Sequence, residues 1–168
     1  LAGEIVPDGD GTENAARARC LLAGFLCNDA AVAHDGGRPA IQGDPTEAAL
    51  VVSALKGGLT AEAAQAAYPR LDALPFESGH QYMATLHRTG RERPSRTAFL
   101  KGAAERVLAR CIAAMGPDGV AGPIDREALS RVAEAMAATG LRVLALAERP
   151  MPDDALRIDH ADVASGAV

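Results

Sequence analysis

The stretch Thr97-Ala98-Phe99-Leu100-Lys101-Gly102-Ala103-Ala104-Glu105 has the pattern of an apolar strand that ends at a lysine, turns at a glycine and enters a helix. Apolar residues follow at helical spacing, and they predict that this helix runs to a cap at Gly116. Lys101 is one of only two lysines in the chain, which otherwise uses arginine as its basic residue. An amine beside the free N–H groups of a helix start favours an anionic ligand. The more common alternative for such a lysine is a solvated strand end.

Three segments with strand patterns lie close together around this stretch. Residues 71–76, 81–88 and 96–101 are separated by short turns or loops, which leave no room for helical crossovers. They therefore predict an antiparallel meander. Residues 141–147 predict a further apolar strand that contains one charge, Arg142, and residues 155–160 predict a weak strand.

Helix starts are marked by N-capping residues. Asp44 is followed by Pro45 at the first helical position and by Glu47 at the third, which predicts a helix with a capping box. Three further helices are predicted after caps at Thr12, Thr60 and Asp125. The helix after Asp125 carries Leu129, Val132 and Met136 on one face. Helices packed on an antiparallel sheet predict an α+β fold, in a single domain that spans residues 1–168.

Composition excludes several classes of function. The chain has 22 acidic and 17 basic residues and a formal charge of -5, so it lacks the basic surface that a nucleic-acid partner needs. No apolar run approaches the length of a membrane span, which predicts no direct contact with a membrane. The chain has an odd number of cysteines without paired spacing, which argues against zinc and disulfides. The sequence predicts that all three are small core hydrophobes: Cys20, Cys27 and Cys111.

Motifs for catalysis and for metal binding are missing. The sequence has no Gly-rich phosphate loop and no nucleophile elbow. The four histidines (34, 80, 87 and 160) are scattered, without the spacing of helical metal ligands. Residues 159–162 contain two aspartates and a histidine, but a solvated loop explains them. The residues alone therefore predict an α+β domain, no catalytic or metal-binding residue, and a hypothetical anion or nucleotide site near Lys101.

Four separated motifs add a family resemblance. They occur in one order, with similar spacing, over most of the chain: Gly-Asp-Pro-Thr-Glu-Ala-Ala-Leu (43–50), Pro-Phe-Glu-Ser (75–78), Lys-Gly-Ala-Ala-Glu (101–105) and Gly-Leu-Arg-Val-Leu-Ala-Leu-Ala (140–147). Together they resemble the nucleotide-binding domain of P-type ATPases, in the branch of bacterial cation pumps related to calcium and magnesium transporters. The resemblance implies a cytoplasmic domain excised from an integral membrane pump, whose partners are ATP and the pump's phosphorylation and actuator domains.

The resemblance also implies roles at the base end of the nucleotide. Phe76 matches the aromatic residue that stacks on adenine, and Glu47 matches the acid near the adenine amino group. Lys101 matches the lysine that lines the adenosine pocket, and Gly102 lets the nucleotide approach the backbone. Leu144 matches the apolar wall. For Phe76 and Glu47, a core phenylalanine and a plain capping box are the common alternatives.

At the phosphate end, the resemblance implies that Arg142 reaches the phosphates. Many relatives carry a second lysine shortly after the stacking aromatic residue, and Gln81 occupies that place here. The resemblance further implies that the ligand is Mg-ATP in the full-length pump, where an aspartate on the phosphorylation domain would attack its γ-phosphate. This domain alone is expected to bind ATP and to hydrolyse none. The alternative is a regulatory or interaction module with the same fold and without nucleotide binding, which the glutamine at position 81 favours.

Overall fold

A computed structural model describes residues 15–35, 38–90 and 95–168. Its helices are α1 (Ala15–Leu26), α2 (Pro45–Lys56), α3 (Ala61–Ala67), α4 (Ala104–Leu108) and α5 (Arg126–Ala138). Its strands are β1 (Ala31–Asp35), β2 (Arg38–Gln42), β3 (Arg70–Glu77), β4 (Tyr82–Thr89), β5 (Ser95–Gly102), β6 (Ala114–Met115), β7 (Ala121–Gly122) and β8 (Ala145–Met151). The predicted cap at Thr12 lies outside the described residues.

A four-stranded antiparallel sheet in the order β3-β4-β5-β8 forms the centre of the domain. This confirms the predicted meander and the α+β class. The fourth strand, however, begins and ends four residues later than predicted, so Arg142 precedes it and Pro150 lies within it. Pro150 is tolerated because β8 is an edge strand. The weak strand predicted at residues 155–160 does not form.

Both faces of the sheet are covered, because side chains alternate along its central strands. Met83 of β4 and Phe99 of β5 face a cluster built by α1, α2 and α3. Tyr82 and Leu100 face the opposite cluster, which is closed by α4 and by residues 158–167. Burial on both faces explains why the two central strands carry so few exposed residues.

The helix after the strand-end lysine is much shorter than predicted. α4 ends at Leu108, and the prediction that it runs to Gly116 is wrong. The backbone at Cys111 instead bridges to Ala167, and Ile112 donates its N–H to the Ala167 carbonyl at 2.8 Å. Pairing with a segment more than fifty residues away overrides the local helical pattern. The same pairing orders the C-terminal residues, for which the sequence predicts a frayed end, so that expectation is wrong.

α5 begins after the Asp125 cap as predicted, but none of its residues is buried, and its apolar side chains Leu129, Val132 and Met136 are exposed. The burial predicted for the three cysteines is corrected at one position. Cys27 and Cys111 are buried as expected, whereas Cys20 is exposed. Burial raises the pKa of Cys27 to about 12, so this thiol is unreactive at neutral pH.

The buried side chain of His87 makes the free energy of unfolding depend on pH. Burial lowers its pKa, as does the charge of Arg70, although its hydrogen bond to the Tyr68 carbonyl opposes this. The unfolded chain therefore takes up a proton first as pH falls below about 6.5. We expect the free energy of unfolding to fall from that pH downward to the folded-state pKa, by at most about 1.4 kcal/mol per pH unit.

Urea denaturation of the wild type and of His87→Gln, at several pH values between about 7.5 and 5, tests this expectation. Glutamine retains an amide donor for the Tyr68 carbonyl but does not titrate. The difference in unfolding free energy between the two proteins should therefore narrow as pH falls. A difference that stays constant with pH would assign the acid sensitivity to other groups.

Candidate functional site

A cavity with a volume of about 620 Å³ opens at one edge of the central sheet. β3 and β5 end at this edge, whereas β4 and β8 begin there, because all neighbouring strands are antiparallel. The first turn of α2 and residues 142–144, which lead into β8, complete the walls. A volume of this size is in the usual range of small-molecule sites.

All seven residues that the resemblance implies line this one cavity: Glu47, Phe76, Gln81, Lys101, Gly102, Arg142 and Leu144. They come from five separate segments of the chain. Further lining residues were not assigned to the site from the sequence, and they include Asp29, Asp44, Thr46, Met83 and Val143. Met83 could have been found from the register, since it lies directly opposite Lys101.

Phe76 is an exposed aromatic side chain at the cavity wall. Its exposed fraction is 56%, so the alternative of a core phenylalanine is wrong. The other two phenylalanines, Phe25 and Phe99, are buried. An exposed ring at a concave surface offers an apolar face to a flat ligand.

Lys101 is buried and forms an ion pair at the inner end of the cavity. Its Nζ donates to Glu47 Oε1 at 2.7 Å, and the exposed fractions of the two side chains are 7% and 17%. The alternative of a solvated lysine is therefore wrong. Glu47 does follow the Asp44 cap as predicted, but its carboxylate is taken by Lys101, so only the Asp44 half of the capping box is present.

Glycine is required at position 102 by the neighbouring backbone. A Cβ atom there would lie 2.4 Å from the Gln81 carbonyl oxygen and 2.7 Å from Tyr82 Cα. β5 can therefore lie this close to the β3–β4 turn and to the start of β4 only because Gly102 has no side chain. Approach of a nucleotide to this backbone, which the resemblance implies, stays a prediction.

Gln81 adopts a left-handed backbone conformation with φ of 59°, which is uncommon for a residue other than glycine. Its side-chain Oε1 accepts a hydrogen bond of 2.8 Å from Arg106 Nε. A cation thus stands next to the position at which many relatives carry a lysine. No sequence pattern predicted a role for Arg106.

Arg142 and Leu144 lie in the segment before β8, with Arg142 exposed at the cavity. Asp44 lies on the same cavity. Hydrogen bonds from the backbone N–H groups of Thr46 and Glu47 lower the pKa of Asp44, and the charge of Arg142 contributes. A carboxylate and a guanidinium therefore both line this part of the cavity.

The cavity combines an aromatic ring, an apolar wall, a carboxylate–ammonium pair and a guanidinium. Such a set can hold a planar amine-bearing group inside and an anion outside. Its three carboxylates are already engaged: Glu47 with Lys101, Asp44 with the start of α2, and Asp29 with Arg70 at 2.8 Å. The described lining residues include no serine, cysteine or histidine that could act as a nucleophile or base.

Comparison with known proteins identifies the family of the chain. The sequence model of one family, described as P-type ATPase, cytoplasmic domain N, matches residues 17–166. The chain is 44% identical over 149 residues to "Cation-transporting ATPase pma1" of Synechocystis, which covers 89% of this chain and 16% of that protein.

Two further relatives show the same partial coverage. "Probable cation-transporting ATPase F" of Mycobacterium tuberculosis is 46% identical over 144 residues, covering 84% of this chain and 16% of that protein. The human "Calcium-transporting ATPase type 2C member 1" is 37% identical over 155 residues, covering 88% of this chain and again 16% of the relative. The chain thus spans about one sixth of the length of these relatives. Among the residues that the structure describes, no helix is long and apolar enough to cross a membrane. The family match over nearly the whole length and the three relatives together show that the chain belongs to the cytoplasmic N-domain family of P-type ATPases.

Proposed function

We propose that the cavity binds ATP by its adenosine end. The observation that carries this proposal is the convergence of seven sequence-distant residues on one concave surface, with the aromatic ring of Phe76 exposed there. Phe76 would stack on the adenine base against the wall that contains Leu144. The Glu47 carboxylate would accept a hydrogen bond from the adenine amino group, while its ion pair with Lys101 holds that carboxylate in place.

The triphosphate would extend toward the open side of the cavity. Arg142 lies there, and its guanidinium can bind phosphate oxygens in two-point geometry. Arg106 adds a second positive charge near Gln81. This arrangement supports nucleotide binding without a lysine at position 81, and it weakens the alternative of a module that binds no nucleotide.

The proposed role in the whole protein is positioning. The domain would belong to a cation-transporting ATPase of the kind to which its relatives are assigned, and would present the γ-phosphate to an aspartate on a separate phosphorylation domain. Mg²⁺ in the Mg-ATP complex would neutralise phosphate charge during that transfer. The carboxylates of the cavity are occupied by protein partners, so the proposal assigns the magnesium ligands to other parts of the pump.

Replacement of Phe76 tests the base-binding role. Phe76→Ala should weaken ATP binding by about 1–3 kcal/mol, the usual effect of losing a stacking partner for a base. Adenosine should lose affinity by a similar amount, because it carries the same base. Isothermal titration calorimetry measures both, with Leu156→Ala, an exposed apolar residue outside the cavity, as the control.

Equal ATP affinity of wild type and Phe76→Ala, with the fold intact by circular dichroism, would reject Phe76 as the stacking platform. If the wild type bound neither ATP nor adenosine, the module without nucleotide binding would replace the proposal.

Catalysis provides a separate prediction. The 168-residue chain should show no ATPase turnover and no acid-stable phosphoenzyme, since the proposed nucleophile belongs to another domain. Incubation with γ-³²P-labelled ATP followed by acid precipitation measures covalent phosphate. Label retained on this chain would contradict the division of labour proposed here.

A further inference from the structure

A second group of polar side chains lies at the β3–β4 turn, apart from the residues that line the cavity. Glu77 is the last residue of β3, His80 belongs to the turn that follows, and His160 comes from the C-terminal segment. One potential ligand atom from each residue lies within 4.8 Å of the other two. Within the described part of the chain, no other group of three or more histidine, cysteine, aspartate or glutamate side chains meets in this way.

Ring nitrogens of the two histidines and a carboxylate oxygen of Glu77 lie close together in this group. The imidazole rings of His80 and His160 stack with their centroids 3.9 Å apart and their planes inclined by 26°. Glu77 Oε2 lies 3.7 Å from His80 Nε2. The side chains of His80 and Glu77 are 44% and 57% exposed, so an ion can reach them from solvent.

His160 is held in orientation by the sheet. Its Nδ1 lies 2.6 Å from the hydroxyl oxygen of Tyr82, a residue that is itself only 1% exposed. The guanidinium of Arg110 covers the Tyr82 ring at 4.0 Å and restricts it further. A partner on one ring nitrogen that fixes the imidazole and leaves the other nitrogen free is typical of metal-binding histidines.

We propose that Glu77, His80 and His160 form a binding site for a divalent transition-metal ion of the Zn²⁺ class. Two imidazole nitrogens and one carboxylate oxygen are ligands that Zn²⁺ and its neighbours prefer, and three protein ligands leave one position for water. Tetrahedral Zn²⁺ needs its ligand atoms about 3.4 Å apart, given Zn–N distances of about 2.0–2.1 Å. Rotation of the exposed Glu77 and His80 side chains would bring the three ligand atoms to this separation.

The two imidazole nitrogens and one carboxylate oxygen also determine which metal ions the site would prefer. Mg²⁺ prefers six oxygen ligands in a tight octahedron and keeps several of its waters, so a site with two imidazoles discriminates against it. This site would therefore not bind the Mg²⁺ ion that accompanies ATP. The bound ion would join the turn to the C-terminal segment, eighty positions away from His80 in the chain. Binding only to the folded state would raise the stability of the domain.

Zn²⁺ titration of the untagged chain in nucleotide-free buffer tests the proposal independently of ATP binding. Two-dimensional NMR of the histidine rings resolves the four histidines separately. We expect ZnCl₂ to shift the His80 and His160 ring signals in a saturable way, and to leave those of His34 and His87 unchanged. Millimolar MgCl₂ should shift none of the four.

Variants distinguish a built site from adventitious binding. Tyr82→Phe, which retains the ring but removes the partner of His160, should weaken Zn²⁺ binding by about 10–100-fold. His160→Ala and Glu77→Gln remove ligands and should weaken it at least as much. Glu77→Gln changes only an exposed side chain at the end of β3, so it remains informative if His160→Ala fails to fold. The control is His34→Ala in β1, a strand of the separate two-stranded sheet, which should bind as the wild type does.

Three results would overturn the proposal. The first is the absence of any shift of His80 and His160 at excess Zn²⁺. The second is an equal or earlier shift of His34. The third is an unchanged Zn²⁺ affinity in both Glu77→Gln and Tyr82→Phe.

Discussion

Lys101→Met should lower the free energy of unfolding by about 3 kcal/mol, the low end of the cost of breaking a buried ion pair. The substitution leaves the Glu47 carboxylate, which is only 17% exposed, without its partner at 2.7 Å. Because Glu47 keeps some contact with solvent through the cavity, we expect the loss of unfolding free energy to lie at the low end of the range for a broken buried ion pair. Urea denaturation followed by circular dichroism measures the change.

Two further variants test the cause of this loss. Lys56→Met removes the only other lysine, at the end of α2, and should cost less than about 1 kcal/mol. The double variant Glu47→Gln/Lys101→Met leaves no unpaired charge and should be more stable than Lys101→Met alone. If the double variant were less stable by the full sum of the single effects, the two side chains would not be coupled.

Gly102→Ala should destabilise the domain by about 3 kcal/mol, at the upper end of the usual cost of overpacking. The added Cβ would meet the Gln81 carbonyl oxygen at 2.4 Å and Tyr82 Cα at 2.7 Å, and both are backbone atoms that cannot rotate away. The β3–β4 turn would have to move away from β5. Because Phe76 and Gln81 flank this turn and line the cavity, nucleotide affinity should also fall.

Gly122→Ala is the matched control for this substitution. Gly122 lies in β7, and a Cβ atom there would meet nothing within 4 Å. We expect thermal denaturation to show a large decrease in Tm for Gly102→Ala and little change for Gly122→Ala. Equal decreases would mean that the loss reflects β-strand glycine replacement in general rather than the close approach to β4.

The meander was predictable from the sequence because its signals are local. Alternation of apolar side chains and turn residues between the strands determine β3, β4 and β5, and short connections allow only antiparallel neighbours. The start of α2 was predictable for the same reason, since the Asp44 cap and Pro45 act within one turn. The shortened α4 was not predictable, because the backbone partner of Cys111 is Ala167, far along the chain.

The site was less predictable than the fold. The physical pattern around Lys101 indicated only an anion or nucleotide site, and the roles of the other assigned residues came from the family resemblance. Lining residues such as Asp29 and Met83 were not assigned to the site at all. Burial of Lys101 depends on Glu47, which lies 54 positions earlier. The group at the β3–β4 turn likewise joins His80 to His160, and no spacing rule connects them.

Titration of the ¹⁵N-labelled domain with ATP, followed by NMR, tests the proposed nucleotide site most directly. The account predicts saturable shifts of backbone amide signals at Phe76, Lys101, Gly102 and Leu144 with both ATP and adenosine. Arg142 should respond more strongly to ATP, because adenosine has no phosphates, and the exposed helix α5 should not respond. The absence of saturable shifts at millimolar ATP, or shifts confined to residues outside the cavity, would contradict the account.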